Sequence, residues 1–459
     1  MNSYKIKIVL TPRKSDGGDM VTRRELSQTI DIYRQVCSFL VDVCEDMWRD
    51  ISVIKDAFDR VRYVECLVHA TKNNEHPKYS DFDVRFHKLP SYFRRAAVAF
   101  ALGIVSSYHS NLDRWESLPE SERGGKPSLQ RFPHSFPTFY KDGMFSWDDV
   151  DGLRLKVWNG RDWVWRHVRL REQDVRYVLR YCGNDVRKNP VLVYTGKRGF
   201  ALSFAYVRER SLSNKHAADR RICAVDLGIN SHATMSVMTS DGTVLARKFV
   251  RFRKEEDRLE RLLGNVRRMQ SMGARRLRKM WSYVSTYNSG LSKKVAHAVV
   301  EFARDNDCDV IVMEYLDMTG KVRGAKRQRL SVWRCREIQR IVENQAHVNG
   351  MRFSHVCAAN TSRLAFDGSG KVVRGEEAGF STYALCKFSN GKVYNCDLNA
   401  SYNIGSRYFI RELLKTLPVR VEREVLAKVP ELSRRTKCTL SSLISMNAEL
   451  AGLCLCESV

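Results

Sequence analysis

From about residue 220 the hydrophobic period of this chain changes in an order that few folds can satisfy. ICAVDLGI is a short apolar run, and ATMSVMTSDGTVLARKFV reads as two strands around an Asp-Gly turn. Residues 254–306 are long and helical, DVIVME (309–314) is another apolar strand, and 330–348 is helical again. MRFSHVCA (351–358) returns to a strand, and a last helix opens at Asp397. Three antiparallel strands followed by helix, strand, helix, strand and helix is the RNase H-like α/β order.

Upstream the chain reads differently. Residues 3–10 alternate as a strand, with Tyr4, Ile6 and Ile8 against Lys5 and Lys7. Residues 22–115 are helical: Ile32, Val36, Phe39, Leu40 and Val43 recur at spacings of three and four, as do Phe93, Ala97, Phe100 and Ile104. PESERGGKPS (119–128) breaks the pattern, and 129–208 looks β-rich, with an Asn-Gly turn between aromatic strands in KVWNGRDWVWRHV. A strand before a helical block and many strands after it suggest that residues 1–11 return to the later sheet.

Composition narrows the function. The 459 residues carry 78 Lys+Arg against 52 Asp+Glu, a formal charge of +26. A compact fold with that excess repels itself unless a polyanion neutralises it, and nucleic acid is the leading polyanion ahead of a membrane surface. No apolar run approaches the ~18 residues of a membrane span, and MNSYKIKIVLTPRK lacks the apolar core of a signal peptide. Thirteen cysteines without a CxxC pair fit reduced thiols in a cytoplasmic setting.

Three acids fall on particular elements: Asp226 inside the first apolar strand, Glu314 at the end of the fourth, and Asp397 at the start of the last helix. A right-handed crossover brings the first and fourth strands side by side, and the helix start closes the same edge. Alone, each has an ordinary reading: a strand-end or phosphate-loop Asp, a surface Glu, an N-cap. Together they repel one another unless a cation is present, and hard oxygen donors suit Mg²⁺ or Mn²⁺. Two such ions about 3.5–4 Å apart activate water and stabilise the leaving oxygen in phosphodiester hydrolysis.

AVDLGIN, VIVMEYL and CDLNASYNIG resemble the three RuvC motifs of the TnpB family of transposon-encoded RNA-guided DNA endonucleases, ancestral to type V CRISPR effectors. The resemblance implies a multidomain α/β architecture. A β-barrel wedge domain (1–11 and 126–215) would be split by a helical recognition domain (12–125). A RuvC nuclease domain (216–355 and 397–415) would carry a target-loading insert (356–396), leaving 416–459 as a C-terminal tail without assigned function. It also implies Asp226, Glu314 and Asp397 as the metal-binding catalytic acids, Asn399 and Asn403 as polar positions of the third motif (with helix capping the competing reading of Asn399), and guide RNA and double-stranded DNA as partners. The protein would act as a monomer or a homodimer on one RNA, associated with the nucleoid of a prokaryotic cytoplasm. A miniature type V CRISPR effector is the close alternative, differing in the source of the guide. A non-cleaving RNA-guided repressor and an actin-like ATPase are the rivals from other classes; no second glycine-rich phosphate turn supports the latter.

The family usually carries a four-cysteine zinc site between the second and third motifs. Here Ala365, Gly368 and Ser389 stand at three of those positions, with Cys386 at the fourth. Tetrahedral zinc is therefore not expected. Cys357, Cys386 and Cys396 read as buried thiols, and Phe366, Phe380, Tyr383 and Phe388 as a small core of a mobile segment. Between 247 and 294, fifteen Lys or Arg stand against four acids. In ARRLRKMW, Arg275, Arg276, Arg278 and Lys279 lack local acidic partners and point to phosphate binding. KVRGAKRQR adds Arg323, Lys326, Arg327 and Arg329 just after Glu314. Trp158, Trp163 and Trp165 could stack on bases, but alternation favours barrel core for at least one of them.

Overall fold

Alternation in the first ten residues becomes β1 (Asn2–Thr11) of a computed structural model. The structure describes the chain except residues 1, 12–18, 132–133, 148–151, 197–198, 229–230, 317–332 and 457–459. Two compact units emerge, Ser3–Glu209 and Arg210–Val459.

In the first unit the helical period gives α1 (Arg23–Asp46), α2 (Trp48–Val53), α3 (Ala57–Val68), α4 (Asp81–Arg85) and α5 (Ser91–Glu116). A capping box starts α1: Thr22 Oγ1 accepts from Glu25 N at 3.2 Å, and Glu25 Oε2 accepts from Thr22 N at 2.8 Å. β2 (Phe145–Trp147), β3 (Gly152–Trp158) and β4 (Trp163–Leu170) follow, then α6 (Glu172–Cys182), β5 (Val186–Arg187), β6 (Val191–Tyr194) and β7 (Phe200–Arg208). The sheet order is β2-β3-β4-β1-β7-β5, with β6 also on β7. β1 thus lies between β4 and β7, and the helical block is inserted into one sheet. Phe139 N donates to Pro190 O at 2.8 Å and Leu192 N to Pro137 O at 2.9 Å, bridging residues 137–139 to β6. Helices and strands share one core, from Leu26 and Phe93 to Leu155 and Phe204.

One expectation changes here, and the barrel-core reading of the tryptophans holds for Trp163. The stretch 129–208 is not purely β: α6 interrupts it. Its Val175, Val178 and Cys182 are spaced for one face, but Val and Tyr also favour strands, and strand segments flank it. Trp163 is core, its ring 5.1 Å from Phe93, and Trp158 packs on it at 5.5 Å.

The second unit is a three-layer α/β/α arrangement. Its strands are β8 (Ile222–Asp226), β9 (Ala233–Met238), β10 (Val244–Val250), β11 (Val310–Tyr315) and β12 (Arg352–Cys357), ordered β10-β9-β8-β11-β12. The first three are antiparallel, and β11 runs parallel to both β8 and β12. The helical run after β10 is two helices, α7 (Arg253–Ser271) and α8 (Arg278–Asp305), separated where Gly273 takes φ +87°. α9 (Cys335–Val348) connects β11 to β12. β13 (Val373–Arg374), β14 (Leu385–Lys387) and β15 (Val393–Asn395) form a separate small sheet. α10 (Cys396–Leu414), α11 (Val419–Lys428) and α12 (Leu440–Cys456) complete the unit.

β8 is buried on both faces, which is why ICAV reads as unbroken apolar sequence. Cys223 and Val225 face a core with Val295, Val299 and Ile338 of α8 and α9. Ile222 and Ala224 face Tyr402, Phe409, Leu443 and Met446 of α10 and α12. The segment 416–459, expected to be a tail, therefore supplies part of the core. Gly405 lets α10 approach closely: a Cβ there would stand 2.5 Å from Met238 Sδ and 3.2 Å from Ala224 Cβ. Among the described residues, no helix is long and apolar enough to cross a membrane.

Candidate nuclease site

The strand register brings the first two acids together. Val225 pairs with Met313 across the parallel β8–β11 ladder, so Asp226 and Glu314 sit one residue further on, at neighbouring strand ends. Asp397 is the second residue of α10. The N-cap is Asn395, whose Oδ1 accepts from Asp397 N and Leu398 N, both at 3.0 Å. With Asn395 capping the helix, the Asp397 side chain is not needed for that role.

All three carboxyls are pushed above the ordinary range. Burial is the main cause for Asp226, followed by repulsion from Glu314 and Asp397, with Arg374 opposing. Glu314 is 9% exposed and raised by burial, against a hydrogen bond from Thr361 and the charge of Arg407. Asp397 is raised by burial and drawn back by Arg374. A buried acid cluster of this kind gains from a cation. Three carboxylates are also the donor type for Mg²⁺ or Mn²⁺. Among the described residues, no three His, Cys, Asp or Glu side chains are gathered tightly enough to ligate one ion as they stand. The chemistry of the donor set fits such a metal, whereas the ligand sphere is not assembled.

Nothing periodic in GKVVRGEE marks Arg374, and sequence reasoning does not single it out. It ends the two-residue strand β13, its charge acts on Asp226 and Asp397, and its Nη2 is buried without a hydrogen-bond partner among the described residues. The small sheet carries it to the acids.

A polar ladder on α10 positions the segment around Glu314. Asn399, Asn403, Arg407 and Arg411 recur every four residues and so share one helix face. Asn399 Oδ1 accepts from Phe366 N at 2.8 Å and its Nδ2 donates to Leu364 O at 2.8 Å. Asn403 Nδ2 donates to Thr361 O at 2.8 Å. Thr361 in turn donates its hydroxyl to Glu314 Oε1. Arg407 donates to Cys357 O (2.8 Å), Ala359 O (2.7 Å), Thr436 O (3.0 Å) and Cys438 O (3.1 Å). Arg411 donates to His355 O at 2.8 Å. Arg407 and Arg411 thereby cover outward carbonyls of the edge strand β12. Asn399 and Asn403 anchor the 361–366 backbone, and Asn399 is not the helix cap, since Asn395 fills that place.

The three cysteines separate. Cys386 and Cys396 share a small core with Ala365 and Phe388, and Cys357 is exposed. The Cys396 side chain hydrogen-bonds Cys386 and pulls that thiol below its ordinary value. Phe366 packs on Phe388 and Tyr394 at 5.5 and 5.1 Å. Tyr383, expected in this core, is exposed, and Phe380 is half-buried.

Arg275 and Arg276 lie in the α7–α8 connection, and Arg278 and Lys279 open α8; all four are exposed. The first turn of α8 has no acid and no side-chain cap. Cations there oppose the helix dipole, an arrangement that an incoming phosphate reverses. Trp281 and Tyr283 are exposed beside them. Arg323, Lys326, Arg327 and Arg329 lie outside the described residues.

The polypeptide of a Cas12f1–sgRNA–target DNA complex matches with a TM-score of 0.52, covering 83% of this chain and 81% of that one at 14% identity. The fold resembles that of the type V CRISPR effectors. The AacC2c1–sgRNA binary complex matches at a TM-score of 0.39, covering 84% of this chain and 70% of that one at 11% identity. The Aq_aa04 family profile matches residues 5–159, which run from β1 through β3 of the type V-like fold. No protein of curated function matches the sequence.

Proposed function

We propose that this chain is an RNA-guided DNA endonuclease of the TnpB and miniature type V kind. A bound guide RNA supplies specificity by base pairing, and the protein reads a short flanking motif and duplex shape. The observation that carries the reading is that Asp226 and Glu314 end neighbouring strands, with Asp397 at the start of α10 near enough to repel Asp226, all three held above the ordinary carboxylate range.

In this reading the three acids hold Mg²⁺ or Mn²⁺, which when bound supplies water activation and stabilisation of the leaving oxygen. Thr361 fixes the orientation of Glu314. Arg374 offsets the negative charge of the cluster and offers its unpaired Nη2 to a phosphate oxygen. Arg275, Arg276, Arg278 and Lys279, with the basic residues at 323–329, follow the nucleic-acid backbone. Residues 1–11 and 126–215 serve as the wedge, 12–125 as recognition helices, 216–355 and 397–415 as the nuclease, and 356–396 as a zinc-free loading element. The guide comes from a transposon end or a CRISPR array, and the DNA beside the gene separates the two.

The test is substitution of each acid by alanine. Asp226→Ala, Glu314→Ala and Asp397→Ala should each reduce DNA cutting in Mg²⁺ by more than about 100-fold, beyond what loss of an outer-shell partner costs. RNA and target binding should remain. Near-normal cutting by any one of them removes that residue from the site. Intact RNA-dependent target binding with no cutting by the wild-type protein would instead favour a guided binder.

A further inference from the structure

Helix α6 presents two tyrosines where a solvent-facing helix ordinarily carries charge. Tyr177 and Tyr181 are 53% and 52% exposed, one helical turn apart, with ring centroids separated by 4.9 Å. The Arg180 guanidinium lies 5.3 Å from the Tyr181 ring, and Gln173 and Arg176 are exposed on the same arc. The opposite face is pinned. Val175 and Cys182 are buried, and Asp174 Oδ2 accepts from Val9 N on β1 and from Arg171 Nε, each at 3.0 Å. At the C-terminal end, Arg208 Nη2 donates to Tyr181 O at 2.8 Å while its Nε donates to Asp185 Oδ1 at 2.7 Å. These contacts hold α6 with both tyrosines turned to solvent.

We propose that this face of α6 is a stacking platform for unpaired bases of a single-stranded nucleic acid. Charge selects that occupant. Arg176 and Arg180 stand on the exposed arc against one acid, Glu172, which pairs with Arg176, so the arc keeps a net positive charge through Arg180, and the chain as a whole carries +26. A second copy of this chain would set like charges against each other. Bases stack on tyrosine faces without regard to sequence, and the arginines meet the phosphates between them. The inference rests on the nucleic-acid reading above and adds to it a surface remote in sequence from the three acids.

The experiment measures binding of a twelve-nucleotide oligouridylate by the full chain freed of co-purified nucleic acid. The same oligonucleotide carrying 5-iodouracil is then photo-crosslinked and the modified peptide identified. Tyr177→Ala/Tyr181→Ala should weaken binding by about tenfold or more, and wild-type crosslinks should fall on the peptide containing Tyr177 and Tyr181. Tyr177→Phe/Tyr181→Phe should bind as wild type, whereas Tyr177→Leu/Tyr181→Leu should resemble the alanine pair, since apolar area without a ring face is not sufficient. Wild-type affinity in the alanine pair overturns the platform and leaves the nucleic-acid reading standing. A change in oligomeric state at unchanged oligonucleotide affinity assigns the face to a second copy and also overturns it. A wild-type chain that binds no oligonucleotide overturns the nucleic-acid reading as well.

Discussion

The Thr361 hydroxyl donates to Glu314 Oε1, joining the segment between β12 and β13 directly to the acid on β11. Thr361 is itself fixed by Asn403, whose Nδ2 donates to its carbonyl at 2.8 Å, so α10 sets the orientation of Glu314 as well as carrying Asp397. Two of the three acids thus depend on one helix, and that helix is held against β8 and β9 by the absence of a side chain at Gly405.

The raised carboxyls tie metal binding to stability. Because the folded-state values of Asp226, Glu314 and Asp397 lie above their unfolded values, the folded state holds more protons in the window above pH ~4. Stability of the metal-free protein from these groups therefore falls as pH rises through that window. Asp226→Asn should raise Tm in chelator and flatten this dependence. Mg²⁺ at a hundredfold over its Kd should stabilise the wild type by about 2.7 kcal/mol and the variant far less. Calorimetry at pH 6 and pH 8, with and without Mg²⁺, checks both signs.

Arg407 holds four backbone carbonyls of the second unit. Arg407→Ala should cost about 3–5 kcal/mol, because it strands four carbonyls in a buried setting. Arg407→Lys should not restore stability, since one ammonium cannot reproduce the fork. Denaturant titration measures this, and hydrogen exchange should show residues 436–440 opening first.

Neutralising Arg275, Arg276, Arg278 and Lys279 together should weaken DNA binding uniformly across sequences. The slope of log affinity against log salt should drop by about 0.9 for each duplex phosphate that these side chains no longer neutralise. An unchanged slope would show that these residues form only a solvated surface.

The zinc positions give a separate expectation. Ala365 is fully buried beside Cys386, Phe388 and Cys396, and Gly368 takes φ +79°, so packing and turn geometry fill the places that ligands would hold. Elemental analysis of purified protein should find no stoichiometric zinc. Strong chelation followed by Mg²⁺ should return full activity. One tightly held zinc per chain would contradict this.

Much of the second unit is legible in the sequence because its signals are local. The apolar run of β8, the strand-end position of Glu314 and the helix opening at Asp397 each follow from period and burial, and β8–β11 adjacency follows from crossover handedness. Arg374 is not legible, because a two-residue strand leaves no period and only the tertiary path of the small sheet brings it to Asp226. Asn399 resembles a cap because it is a polar residue near a helix start, whereas Asn395 already fills that place. The C-terminal helices read as a tail because Leu440, Leu443 and Met446 gain meaning only against the sheet face they cover. In α6 the same β-branched and aromatic residues that favour strands sit on a helix that Asp174 ties to β1 and Arg208 holds at its C-terminal end.

RNA-programmed cutting tests the central claim most directly. The RNA that co-purifies with the protein would be sequenced, and a plasmid library with randomised flanks beside a matching target would be incubated with the complex in Mg²⁺. The account predicts cutting only of plasmids that match the RNA and carry one short flanking motif, with none in chelator and none with Asp226→Ala. Recovery of a folded, nucleic-acid-free protein, or cutting that does not depend on the RNA sequence, would contradict it.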